Sequence, residues 1–257
     1  MRLVPIVVLA SLVQAVFCAV APSTDERRAV TFGNHHEPLK LTRDTLSRRG
    51  KEYSITELDD LEEEAESASK DSIYKAIDHL TKLFKDKSID YGLMGGVAMQ
   101  LFGLESRDTH DADLAVSVNS GDLLKAIQDD PNIQRPGRLM AASGTARIFV
   151  KIGNQQVAMD VFVKGADQTP SLDTQTIKNY KVIKPGEIAK SKFKRLEDKD
   201  SDDILWLIQN KKDDIKKIAD KVKKDDRVKF AEDFKDKDDV FKVILDVLDL
   251  DEDDVDD

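Results

Sequence analysis

The amino-acid sequence predicts an α+β fold: a mixed β-sheet core flanked by helices, followed by a helical C-terminal module. Three observations lead there. Short strand-like apolar runs alternate with helical stretches up to residue 184. Two β-rich runs, 147–152 and 157–163, flank Gly153-Asn154, the signal of a hairpin turn. From Pro185 onward the remaining periodic segments all read as helical.

The chain opens with Met1-Arg2 and an almost wholly apolar stretch, Leu3 to Val20, ending in the small residues Ala19-Val20-Ala21. This is the layout of a secretory signal peptide over residues 1–21. A membrane anchor is the alternative for a run of that length, and Pro5 and the Ala-x-Ala end favour the signal. Residues 22–49 are polar and aperiodic, a composition that cannot bury a core and reads as a disordered pro-segment or linker. It closes on Arg48-Arg49, so processing after Arg49 is one expectation and an ordinary flexible tail the other. The only cysteine, Cys18, lies inside the signal, so the mature, secreted chain can form no disulfide. A domain of about 200 residues can stand on its core alone. The absence of disulfides fits a cytosolic ancestry or work inside another cell.

Residues 50–184 form the expected α/β core. Ser54 to Phe84 reads as helical, opening with the capping-box spacing Ser54-x-x-Glu57 and continuing with Ile73, Ile77, Leu80 and Leu83 at helical intervals. Tyr91–Met94 is a buried strand, and a helix follows Gly95-Gly96 through Phe102. Ala112–Val118 is a strand, and residues 120–128 a helix begun by Asn119 or Ser120. Pro131, Pro136 and Gly137 mark a loop before the hairpin, and residues 180–183 add a strand. Residues 185–257 form the helical module, with helices over 186–197, 201–210, 212–223 and 237–248 and a frayed acidic tail.

The whole chain carries a net charge of −10. Residues 1–49 hold seven basic and four acidic side chains, which leaves 33 against 46 beyond them, a net of −13. Such a chain is not an obvious binder of nucleic-acid backbone, which rewards clustered cations.

The chemistry-bearing residues fall between 91 and 160. Gly95-Gly96 sits between a strand and a helix, where missing Cβ atoms let the backbone approach a ligand and the helix N-terminus favours phosphate. Asp111 and Asp113 start a strand and, two residues apart, share one face, with Ala112 and Leu114 turned to the core. Two such carboxylates repel unless a cation lies between them, and Mg²⁺ sharing phosphate oxygens is the natural partner. Asp160 interrupts an apolar strand, where a lone carboxylate is costly. A strand placed beside that of Asp111 would bring it to the same ions. Taken singly, Gly-Gly is commonly a turn, a D-x-D pair a solvated edge, and Asp160 an edge charge.

In combination, Gly95-Gly96-x-Ala98, Gly103, Arg107, Thr109 and Asp111-x-Asp113 resemble the signature of the nucleotidyltransferase superfamily with the DNA polymerase β-like fold. The nearest types are the minimal bacterial AbiEii and MNT groups and related fungal proteins. The resemblance covers residues 90–210, about half the chain, and is most specific over 91–113. It implies that Asp111, Asp113 and Asp160 are catalytic and hold up to two Mg²⁺ ions, with Asp160 as ligand or base. Gly95 and Gly96 would cradle the triphosphate of an NTP substrate such as ATP. Arg107 would touch phosphate or pair with an acid, and Thr109 would hydrogen-bond near the metal. Lys192 would reach phosphate or lie on a solvated helix face. Asp203 reads as a cap or ion-pair partner, His110 as a surface residue and Trp206 as core.

Two readings of function follow. One is a secreted, Mg-dependent enzyme that moves a nucleotidyl group from a nucleoside triphosphate to an acceptor, be it protein, RNA or small molecule. The other is a secreted non-catalytic protein that keeps the fold as a binding module or effector, in which the acidic stretch 212–257 could meet a basic partner. No membrane segment would remain after processing, and the composition is silent on oligomeric state.

Overall fold

The computed structural model describes residues 50–136, 144–166 and 169–256. The expected signal peptide, pro-segment and dibasic site lie outside the described residues. Among the described residues eight strands form one mixed sheet: β1 (Glu52–Tyr53), β2 (Tyr91–Met94), β3 (Asp111–Val116), β4 (Ile133–Pro136), β5 (Thr145–Ile152), β6 (Gln155–Phe162), β7 (Thr174–Ile177) and β8 (Tyr180–Ile183). Their spatial order is β1-β4-β5-β6-β3-β2-β8-β7. The α+β class expected from the sequence is the one found.

The centre of the sheet positions everything that follows. β3 runs parallel to β6, with Asp113 beside Asp160, and antiparallel to β2, with Asp113 beside Met94. β5 and β6 form the hairpin expected at Gly153-Asn154, which pairs Ile152 with Gln155 and, counting outward, Arg147 with Asp160. Gly153 takes φ +61° there, a conformation that suits glycine.

Among the described residues ten α-helices accompany the sheet. The stretch expected as one helix from Ser54 to Phe84 is two: α1 (Ile55–Glu66) and α2 (Lys70–Asp86). Ser54 and Glu57 close the capping box on α1. Ser69 then caps α2 by accepting from the Ser72 N–H at 3.2 Å, and this second cap breaks the run. Ile73, Ile77, Leu80 and Phe84 of α2 are buried against the sheet. α3 (Gly95–Phe102) follows β2 and begins at the glycines themselves, not after them. α4 (Ser120–Ile127) is capped by the Asn119 side chain.

Three further expectations are corrected. The loop around Pro131 and Pro136 contains β4, a strand of four residues that ends at the proline and pairs with β5 and with the short edge strand β1. β7 precedes β8 as a second hairpin. The C-terminal helices are more numerous and differently bounded: α5 (Pro185–Phe193), α6 (Asp198–Asn210), α7 (Lys212–Lys216), α8 (Lys224–Glu232), α9 (Asp238–Leu248) and α10 (Asp253–Asp256). Leu196, at φ +49°, turns the chain between α5 and α6.

The tail is not frayed. Leu250 and Val255 are buried, and Asp254 pairs with Lys224 at 2.6 Å. The apolar core runs without a break from the sheet into these helices, where Phe193 of α5 meets Phe230 of α8 edge-on at 5.5 Å. Among the described residues no helix is long and apolar enough to cross a membrane.

Candidate functional site

Register builds the site. Side chains of alternate residues share a face of a strand, and directly paired residues on neighbouring strands share it too. Asp111 and Asp113 of β3, Asp160 of β6 and Arg147 of β5 therefore project from one side of the sheet, while Ala112, Leu114, Met159 and Val161 fill the other.

The turn from β2 into α3 closes against this face. Gly95 has φ +61°, and a Cβ there would lie 1.8 Å from Asp113 Oδ2. A Cβ on Gly96 would meet Thr109 Oγ1 at 2.6 Å. Both glycines are thus required by close approach, and at Gly95 by backbone conformation as well. The Thr109 hydroxyl donates to Asp111 Oδ1 at 3.2 Å and fixes that carboxylate.

The eight residues singled out from the sequence, Gly95, Gly96, Arg107, Thr109, Asp111, Asp113, Asp160 and Lys192, all line one cavity of about 380 Å³. Arg195 and Lys199 line it as well. A second cavity of about 270 Å³ adjoins it, sharing Met94, Phe162, Ser191 and Arg195, and is walled by Pro170, Lys190 and Lys194.

Two charged clusters face the larger cavity. In the first, burial together with the charges of Asp111 and Asp160 pushes the Asp113 carboxyl up to about 7. Burial also raises Asp160, against the pull of Arg147. Among the described residues, Arg147 binds two of this trio, its Nη1 lying 2.7 Å from Asp160 Oδ2 and 3.3 Å from Asp111 Oδ2. Its charge is held despite burial, because Asp160, Asp111 and Glu62 surround it.

The second cluster lies between α5, α6 and the loop before β3. Lys192, 4% exposed, pairs with Asp200 at 2.8 Å and with Asp203 at 2.7 Å. Arg195 donates to both oxygens of Asp200, and Arg107 Nε donates to Asp203 at 3.0 Å. Burial opposes the charge on Asp200, yet Lys192 and Arg195 hold it below the usual carboxylate range.

These placements revise several expectations. Lys192 does not lie on a solvated face; its ammonium is enclosed by two carboxylates. Arg107 reaches the cavity with its guanidinium already paired to Asp203, which is the ion-pair partner it was expected to be. His110 is exposed beside Asp108. Trp206 is only partly buried, its ring against Gly103 and lining a side cavity with Arg107 and Lys199.

Arg147 is the residue that sequence reading missed. The hairpin turn at 153–154 already contains the signal, because a two-residue loop there places residue 147 opposite residue 160. Arg195 gave no comparable signal in so lysine-rich a segment.

Among the described residues no group of three His, Cys, Asp or Glu side chains is disposed around one point as metal ligands. The donor chemistry nonetheless fits a hard divalent cation. Three carboxylates share a face, one guanidinium serves two of them, and Asp113 is left so poorly compensated that its proton is retained to near neutrality.

No family model and no curated protein matches the chain. Among solved structures, it is similar to an antigenic nucleotidyltransferase-like protein from Paracoccidioides brasiliensis, at 24% identity and a TM-score of 0.40 over 55% of this chain and 77% of that one. It is also similar to JHP933 from Helicobacter pylori, at 16% identity and a TM-score of 0.42 over 71% of this chain and 90% of that one.

Proposed function

We propose that this chain is a metal-dependent nucleotidyltransferase, binding a nucleoside triphosphate in the 380 Å³ cavity and transferring its nucleotidyl group to an acceptor hydroxyl. The observation that carries the proposal is the carboxylate trio Asp111, Asp113 and Asp160, set on one sheet face at the head of the Gly95-Gly96 helix. Asp111, Asp113 and Asp160 would hold Mg²⁺. When bound, the metal would neutralise phosphate oxygens and the charge developing on the pyrophosphate.

The chain's own residues supply the rest. Gly95 and Gly96 present backbone N–H groups at a helix N-terminus, where an anionic phosphate is stabilised. Thr109 keeps the Asp111 carboxylate in place. Asp160, with a raised pKa, suits acceptance of the acceptor's hydroxyl proton. Arg195 and Lys199 carry positive charge into the cavity from the helical side. Lys192 and Arg107, being paired, hold that wall together and reach phosphate only by sharing their charge. The adjoining 270 Å³ cavity, with apolar Met94, Phe162 and Pro170, suits the nucleoside end. The signal-like residues 1–21 support secretion of this activity.

Calorimetric titration with each nucleoside triphosphate, with and without Mg²⁺, tests the proposal. Binding that needs Mg²⁺ and is lost in Asp111→Asn/Asp113→Asn is the expected result. No binding by the folded protein would sink it. One observation favours a second reading, a binding module without turnover: Arg147 already bridges Asp111 and Asp160, as a protein-borne cation would in a retired site. N-terminal sequencing of exported protein, starting at Pro22 or Gly50, checks the processing.

A further inference from the structure

Arg147 stands where the site needs a cation, and its surroundings offer it a second place to go. Its Nη1 is bound to Asp160 and Asp111. Its Nε is buried and makes no hydrogen bond, facing Glu62 Oε1 of α1 at 3.5 Å. Glu62 is half-exposed, so it can turn toward the guanidinium at little cost. The backbone beneath is fixed, because the Tyr53 hydroxyl donates to the Arg147 carbonyl at 2.6 Å and the strand is paired throughout. The side chain can therefore swing while its Cα stays.

We propose that Arg147 is the resident cation of the carboxylate face, and that a divalent ion enters only as the guanidinium leaves Asp111 and Asp160 for Glu62. The inference rests on the metal-binding reading above and adds a positioning residue to it. Arg147 Nη1 already occupies Oδ2 of both Asp111 and Asp160, and a metal ion bound to the same two oxygens would stand against it as a like charge a few ångströms away. A metal ion and the guanidinium are therefore alternatives at those oxygens. Glu62 makes the exchange cheap by accepting the displaced charge at Nε, a buried donor that makes no hydrogen bond. In the metal-free protein Arg147 keeps the trio from standing as uncompensated carboxylates, which sustains the fold until a metal arrives.

Mn²⁺ binding, followed by electron paramagnetic resonance of the free ion, reads this directly without any assay of turnover. Arg147→Met is expected to bind Mn²⁺ on the order of tenfold more tightly than the unaltered protein, and Glu62→Gln several-fold more weakly. Binding detectable only in Arg147→Met also supports the resident-cation role. If the unaltered protein binds Mn²⁺ and Arg147→Met binds it equally or less well, the inference fails while the metal site stands. If no variant binds Mn²⁺, the metal-dependent reading falls and this inference with it. Should Arg147→Met fail to fold, Glu62→Gln, on a half-exposed helix face, decides alone: unchanged affinity there overturns the exchange.

Discussion

Two clusters of charge look at each other across one cavity, and they are composed oppositely. On the sheet, one guanidinium serves two of three carboxylates, and Asp113 and Asp160 hold their protons more tightly than free aspartate. Under the helices, Lys192, Arg195 and Arg107 enclose two fully buried carboxylates, Asp200 and Asp203, and Asp200 gives up its proton more readily. The helical cluster is satisfied from within and joins α5 and α6 to the loop that bears Arg107. The sheet cluster is short of positive charge. A site in that condition is stabilised by whatever cation arrives, and this difference separates a structural network from a binding one.

Deleting one cation from each cluster breaks the comparison most sharply. Lys192→Met leaves Asp200 with Arg195 alone and Asp203 with Arg107 alone, removing the cation that joins the two carboxylates, and is expected to cost about 3 kcal/mol of stability in denaturant melts. Added Mg²⁺ should restore none of it. Arg147→Met should cost less, and millimolar Mg²⁺ should restore the loss, because a metal can replace the guanidinium there. Equal, metal-insensitive losses would show both clusters to be structural.

Gly95→Ala comes next. The new Cβ would need φ +61° and would press into Asp113. About 1–3 kcal/mol of destabilisation is expected, together with loss of Mn²⁺ binding, read by melts and ion titration. Retained metal affinity would place the ion elsewhere.

Acidity separates the clusters without mutation. Asp113 has a folded pKa raised to about 7, so in the fold it keeps a proton that the unfolded chain has already lost. Its contribution to stability is complete below the unfolded value and is lost as pH rises through about 7. Asp200 has the opposite sign: a lowered pKa, hence stability that is present above the unfolded value and lost as pH falls through the folded one. Metal-free melts in chelator from pH 5 to 8 should therefore show stability falling with pH, and Asp113→Asn should flatten the slope. The variant is expected to gain about 1–2 kcal/mol over the unaltered protein at pH 8. A slope unchanged in Asp113→Asn would mean that Asp113 is charged in the fold throughout.

Much of this geometry is written in local sequence. Asp111-Ala112-Asp113 shows its shared face by strand period alone, and Gly153-Asn154 fixes a hairpin whose register leads to Arg147. Gly95-Gly96 announces close approach, though not that Asp113 and Thr109 are what approach. Other features depend on distant partners and left no local trace. Lys192 stands out from the sequence as a candidate for phosphate, but nothing near it announces that Asp200 and Asp203 enclose it, and β1 is a strand only because β4 lies beside it. The break between α1 and α2 was readable at Ser69, but the apolar periodicity on either side conceals it.

The smallest expected effect tests the comparison within a single carboxylate. Arg195 and Lys192 both bind Asp200, but Arg195 has 45% of its side chain exposed and Lys192 almost none. Solvent screens the outer pair, and Lys192 remains to neutralise Asp200 when Arg195 is removed, so Arg195→Met should cost only about 0.5 kcal/mol in a melt. Arg195 also lines both cavities and lowers the pKa of Asp113 from across the larger one, so its charge reaches the region where a triphosphate would lie. Calorimetric titration with Mg²⁺ and nucleoside triphosphate should accordingly show several-fold weaker binding in a variant whose melt barely moves. If the melt falls as far as that of Lys192→Met while nucleotide affinity holds, Arg195 belongs wholly to the structural network, and the cavity's cationic wall must be sought at Lys199.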